Sequence, residues 1–119
     1  MSIIGIGTDI VDIDRIKKAL QSKRFQKICF TQAEIDYCNL KGMSSFAGIF
    51  AAKESVAKAI GTGFKGFFPR DIEILHTSDG KPYVKLSKLE EVQILLTIAH
   101  EKKYAVAHCV IAKRGKQDD

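Results

Sequence analysis

The sequence predicts an α+β domain, an antiparallel sheet with one long central helix and smaller helices. Three observations carry that expectation. The chain opens on a segment, Ile3 to Val11, that alternates apolar and small residues. Its middle is cut into helix-length pieces by capping residues and glycine, and its second half holds two hairpin patterns.

In the opening segment, Ile4, Ile6 and Ile10 fall on one face and Gly5, Gly7 and Asp9 on the other, and the whole reads as a buried strand. Asp12 or Asp14 is placed to cap a helix from Arg15 to about Ser22. Thr31 followed by Glu34 is a capping-box pattern, which starts a second helix through about Leu40 that Gly42 ends. Ser44 or Ser45 can cap the longest helix, which runs to Ile60 and stops at Gly61. Phe64 to Arg70 reads as a loop around Gly66 and Pro69. Asp71 to His76 and Pro82 to Leu86 are strands joined through Ser78-Asp79-Gly80-Lys81. A short helical stretch is expected near Ser87 to Val92. Ile94 to His100 and Tyr104 to Ala112 then form a second hairpin, and the polar tail from Lys113 is expected to fray.

With 119 residues, 45% of them hydrophobic, the chain suits one domain spanning 1–119 and is not expected to be disordered. A domain this small must keep a pocket shallow or share it with another subunit. No apolar run approaches the roughly 18 residues of a membrane span. The start, Met1-Ser2-Ile3-Ile4, shows neither a basic leader nor a cleavage signature, so the expected location is cytoplasmic. Cys29, Cys38 and Cys109 share no ligand or redox spacing and read as reduced thiols.

The net charge is +5, and Arg15, Lys17, Lys18, Lys23, Arg24 and Lys27 form a block with no acidic residue among them. Such a block suits an acidic protein or nucleic acid, or is simply a solvated face. On the long helix, with Phe46 at zero and 100° per residue, Phe50, Val56, Ala57, Ile60 and Ile49 share one arc, read as the core face. Glu54 and Lys58 lie at its edge beside Ala47 and Ala51, either as an ordinary surface ion pair or as a site a ligand can approach closely. Lys53 falls inside the arc and is expected to snorkel outward. Asp9 stands late in an apolar strand, where a carboxylate either caps the next helix or meets a cation. Together Asp9 and Glu54 would offer the one or two carboxylates that magnesium favours, although spacing does not bring them together. His76, His100 and His108 read as packing or hydrogen-bonding residues.

Three separated segments resemble the bacterial holo-acyl-carrier-protein synthase family. They are Gly5-Ile6-Gly7-Thr8-Asp9-Ile10 with Arg15-Ile16; Phe46 to Glu54 with Lys58-Ala59 and Gly61-Thr62-Gly63; and Asp71-Ile72-Glu73-Ile74 with Gly80-Lys81-Pro82. Thr97-Ile98-Ala99-His100 with Tyr104-Ala105 adds a looser fourth. The resemblance implies a single 4'-phosphopantetheinyl transferase-like domain. It would move 4'-phosphopantetheine from coenzyme A to a serine of an acyl carrier protein, releasing 3',5'-ADP, in support of fatty acid biosynthesis. It further implies that Asp9 and Glu54 hold Mg2+, that Glu54 or a water takes the serine proton, and that Lys58 stabilises diphosphate charge. Gly61, Thr62, Gly63, Lys81, Pro82 and His100 would line the coenzyme. Arg15, Lys23, Arg24 and Phe25 would dock the acidic carrier protein, in a homotrimer with sites between subunits and no nucleic-acid or membrane partner. Two positions depart from the pattern. Ile49 stands where many members have an arginine that helps bind a coenzyme phosphate, and Ala99 where a hydroxyl is usual. The competing reading is a non-catalytic basic module, which leaves Asp9, Glu54 and Lys58 without a purpose.

Overall fold

The computed structural model describes residues 2–61, 66, 68–86 and 91–114. Strand β1 (Ser2–Asp12) leads into α1 (Ile13–Ala19), α2 (Lys23–Cys29), α3 (Gln32–Lys41) and α4 (Met43–Ile60). A 3-10 turn at Pro69–Asp71 precedes β2 (Glu73–His76), and β3 (Pro82–Lys85), β4 (Val92–His100) and β5 (Tyr104–Lys113) follow. Among the described residues there are two antiparallel sheets, one ordered β1-β5-β4 and a separate β2-β3 pair. The α+β expectation holds. No helix among the described residues is long and apolar enough to cross a membrane.

Glycine brings β1 onto α4. A β-carbon added at Gly7 would lie 1.9 Å from the Ser55 carbonyl oxygen, and one at Gly5 would lie 1.9 Å from that of Ala59. Strand and helix backbones therefore touch, a contact no residue with a side chain permits. Gly7→Ala should force β1 away from α4 and lower stability, toward the upper end of the roughly 1–3 kcal/mol usual for overpacking. A urea unfolding curve measures it, and an unshifted midpoint would show that the strand gives way freely.

The glycine face, not the isoleucine face, is thus the buried side of β1. Ile4, Ile6 and Ile10 are 56%, 72% and 64% exposed, which corrects the buried-strand expectation. Helices cover only one side of the three-stranded sheet, so its other side keeps an apolar surface. The single core arc on α4 is corrected too. Ala47, Gly48, Ala51, Ala52, Ser55 and Ala59 are buried as fully as Phe46, Ile49 and Val56, because α4 runs between the sheet and the helical layer. Lys53 does not snorkel. It is completely buried, with Nζ 2.8 Å from Glu34 Oε1 and donating to the carbonyls of Pro69 (3.0 Å) and Ile72 (2.7 Å).

Capping follows the expected chemistry in two places. Asp12 accepts from Arg15 N at 3.2 Å, and Thr31 with Glu34 closes a full capping box. Neither Ser44 nor Ser45 caps α4. Gly42, at φ 116°, occupies that position with no side-chain bond, because a left-handed turn joins α3 directly to α4. The sequence reading also missed α2, which Ser22 starts by accepting from Phe25 N at 3.2 Å. The expected helix near Ser87 to Val92 lies mostly outside the described residues, and Val92 itself opens β4. Part of the Phe64–Arg70 loop and most of the tail also lie outside them.

Candidate active site

Asp9 shares the glycine face of β1 and therefore meets α4. Lys58 Nζ lies 3.0 Å from Asp9 Oδ1 and 3.0 Å from the Thr8 carbonyl oxygen. The lysine is half exposed, while only 16% of the Asp9 side chain meets solvent. Glu54 sits one helical turn back and is partly buried. Burial first, and then the Asp9 charge, push its carboxyl above the usual range, against the weaker pull of Lys58 and Arg15. The fold thus assembles two carboxylates and a lysine from segments about fifty residues apart. Arg15, read from the sequence only as part of a docking surface, also lies within electrostatic reach of Glu54.

Among the described residues, no group of three or more His, Cys, Asp or Glu side chains gathers to hold a metal. The donor set at Asp9 and Glu54 is two hard oxygen ligands at most. That suits magnesium, which takes one or two carboxylates and completes its shell with water and phosphate. A divalent cation would also relieve the repulsion that disfavours the Glu54 anion. The cysteines offer no nucleophile. All three are buried, which raises the thiols of Cys29 and Cys109 to about 11 and that of Cys38 to about 12.

A second concavity, of about 220 Å³, is lined by Tyr37, Ser44, Ser45, His76, Pro82 and His100, among others. His100 and Pro82 therefore line one cavity. Lys81 is exposed on the β2-β3 turn beside them, and Gly61 ends α4 in a left-handed conformation. Thr62 and Gly63 lie outside the described residues. Nine positions separate Ser45 from Glu54. At about 1.5 Å and 100° per residue, the two are about 14 Å apart along α4 and on opposite sides of it. Within one chain the carboxylate site and this cavity are not one cleft.

Arg15, Lys23 and Arg24 are exposed, as a docking surface requires. Phe25 is half-buried instead, with its ring 6.2 Å from Phe30 and 5.9 Å from Phe50. It packs α2 onto the core while part of its surface still meets solvent. Tyr37, Ser44, Ser45 and His76 were not foreseen as site residues. Their only signal is polarity next to element ends, which is too common to single them out.

A mixed α+β fold with two carboxylates and a lysine converging between its first strand and longest helix suits phosphoryl-group transfer. The family model for the 4'-phosphopantetheinyl transferase superfamily matches residues 5–109, and the chain belongs to that superfamily. Its relatives make the resemblance more specific. A holo-[acyl-carrier-protein] synthase of Fusobacterium nucleatum is 43% identical over 120 residues, covering 92% of this chain and 98% of that one. The same enzyme of Clostridium beijerinckii is 46% identical, covering 92% and 97%. Among solved structures, a holo-(acyl-carrier-protein) synthase of Bacillus anthracis in complex with CoA (3',5'-ADP) superposes with a TM-score of 0.85. It shares 35% identity and covers 97% of this chain and 100% of that one. The Helicobacter pylori enzyme in complex with coenzyme A gives a TM-score of 0.82 at 33% identity, covering 90% and 99%.

Proposed function

We propose that this chain, as one domain over residues 1–119, is a holo-[acyl-carrier-protein] synthase of the cytoplasm that serves fatty acid biosynthesis. It transfers 4'-phosphopantetheine from coenzyme A to a serine of an apo-acyl carrier protein. The serine oxygen forms a bond to the β-phosphorus, the bond from that phosphorus to the bridging oxygen breaks, and 3',5'-ADP leaves. The observation that carries this reading is the Asp9–Lys58 ion pair, with Glu54 one helical turn from Lys58 and within reach of the Asp9 charge.

Asp9 and Glu54 are the residues that would hold Mg2+, which when bound neutralises and orients the diphosphate. Glu54, with its proton affinity raised by burial and by Asp9, is suited to accept the serine proton, directly or through a water. Lys58 is anchored by the Thr8 carbonyl and Asp9, so its charge is already in place where negative charge builds on the leaving diphosphate.

The separation of the carboxylate site from the cavity supports a homotrimer whose sites lie between subunits. So does the bare side of the three-stranded sheet. There Ile6, Val110 and Leu95 form one cross-strand row, and Ile10, Val106 and Ala99 another. A scattering mass of one chain in a sample that transfers would remove the trimer from this reading.

The decisive experiment incubates the protein with coenzyme A, magnesium and an apo-carrier protein, then follows the carrier's mass. A phosphopantetheine increment is expected. No increment, together with salt-sensitive binding to nucleic acid, would leave the basic-module reading in its place. Arg24→Glu should raise the KM for carrier protein by about tenfold at low salt and leave the KM for coenzyme A unchanged. Arg15→Glu should raise both, since Arg15 also reaches Glu54. Equal loss of coenzyme affinity in Arg24→Glu would remove it from the docking surface.

A further inference from the structure

The middle of the bare sheet face is crossed by one polar row. There His108 of the central strand β5 stands between Thr8 of β1 and Thr97 of β4, directly opposite each in register. All three side chains are exposed, and the Thr8 hydroxyl shares a hydrogen bond with His108 Nδ1. The rows on either side, Ile6–Val110–Leu95 and Ile10–Val106–Ala99, are wholly apolar. An ionisable ring thus sits at the centre of a surface built to leave water. Among the described residues, few groups could answer a charge on it. From α4, the Lys58 cation borders the same concavity as Ile6, Thr8 and His108. Cys109 borders it too, as a buried thiol raised to about 11. Asp9 lies on the helix side of the sheet and is paired with Lys58. His100 is opposite Ala105, also on the helix side. Asp12, Glu101 and Tyr104 stand four positions along the chain from Thr8, Thr97 and His108, about 13 Å away at about 3.3 Å per residue. No carboxylate therefore lies beside the imidazole, and the one charge beside it repels a proton.

We infer that His108 makes assembly of the homotrimer sensitive to pH: neutral, it is covered when the sheet faces close on one another, and protonated it holds them apart. The inference rests on the homotrimer proposed above. Covering the ring strips its water, which penalises the imidazolium far more than the neutral ring. Thr8 can satisfy Nδ1 of the neutral ring in either tautomer, since a hydroxyl both donates and accepts. A covered histidine then binds fewer protons than the histidine of a released subunit. Assembly is therefore fully favoured above the ordinary histidine range and weakens as pH falls through it. Thr8 also joins this face to the reacting groups, because its carbonyl accepts from Lys58. With sites between subunits, acid would switch transfer off by separating them.

The test measures the mass of the wild type and of His108→Gln by sedimentation and light scattering, at about pH 8 and at about pH 5.5. The glutamine keeps a polar group for Thr8 and carries no charge at either pH. The wild type should be a trimer at the higher pH. At the lower one its subunit concentration at half-assembly should rise about tenfold or more, as each released subunit takes up a proton. That of His108→Gln should move less than about twofold over the same range. Circular dichroism on the same samples separates dissociation from unfolding. A wild-type trimer indifferent to acid, or one that dissociates in parallel with His108→Gln, would overturn the switch and leave the trimer standing. Unfolding of the wild type at the lower pH would overturn it as well, since the switch acts between folded subunits. A single-chain mass at both pH values would end the trimer itself, and the switch with it.

Discussion

Lys53→Met should destabilise the protein by about 3–5 kcal/mol, the usual cost of removing one partner from a buried ion pair. Lys53 and Glu34 are both completely buried, and they join α4 to α3. Burial pushes the Glu34 carboxyl up and the Lys53 amine down, and their mutual attraction opposes both shifts. Each is then satisfied by backbone. Glu34 accepts from Thr31 N and Ile74 N at 2.8 Å each, while Lys53 donates to Pro69 and Ile72. Deleting the ammonium leaves a dry carboxylate and two orphaned carbonyls, and it frees the segment leading into β2 from α4. The double variant Lys53→Met/Glu34→Gln should recover most of the loss, because its amide oxygen still accepts a backbone bond and no lone charge remains. Urea unfolding of the single and double variants measures the coupling. Single variants that each cost less than about 1 kcal/mol would show that water reaches the pair.

The error over Lys53 shows where sequence reading stopped. A helical wheel places each residue by angle alone, and a lysine at a core angle has two solutions, to snorkel or to be paired. The partner, Glu34, lies in another helix, and nothing in its spacing from Lys53 marks it; its visible role was as the third residue of a capping box. Patterns closed within a few residues were legible, among them that box, the Asp12 cap, both hairpins and the stop at Gly61. Features that depend on what lies across the fold were not. Gly5 and Gly7 leave one face of β1 without side chains, but only the packed structure shows that the α4 backbone lies against it. Asp9 and Glu54 looked unusual one at a time, and that the Asp9 charge reaches Glu54 depends on how β1 packs on α4. The missed α2 is a different failure. Ser22 followed by Phe25, Ile28 and Cys29 has a cap and helical spacing, and the basic block around it drew the reading toward charge instead.

Glu54→Gln should lower kcat by about 10²–10⁴-fold, the range for losing a proton acceptor at a reacting group, without loss of fold. Intact folding follows from the direction of the shift. Burial and Asp9 raise the Glu54 proton affinity in the folded chain, so the folded state binds a proton that the unfolded chain has already released. The protonated group's stabilisation is complete below the ordinary glutamate range and is lost as pH rises through the raised folded value. At neutral pH the wild type carries this penalty, and an amide does not. The variant should therefore be at least as stable as the wild type in metal-free buffer, and its stability should lack that fall on the alkaline side of the glutamate range. Added magnesium should raise the melting temperature of the wild type more than that of the variant, because only the wild type offers both carboxylates. Transfer assays, unfolding curves at several pH values and magnesium melts on the same two proteins make the test. Near-normal turnover would remove Glu54 from the chemistry. A large loss of stability at neutral pH would mean instead that its carboxylate supports the fold, and that the opposing pull of Lys58 and Arg15 outweighs burial and Asp9.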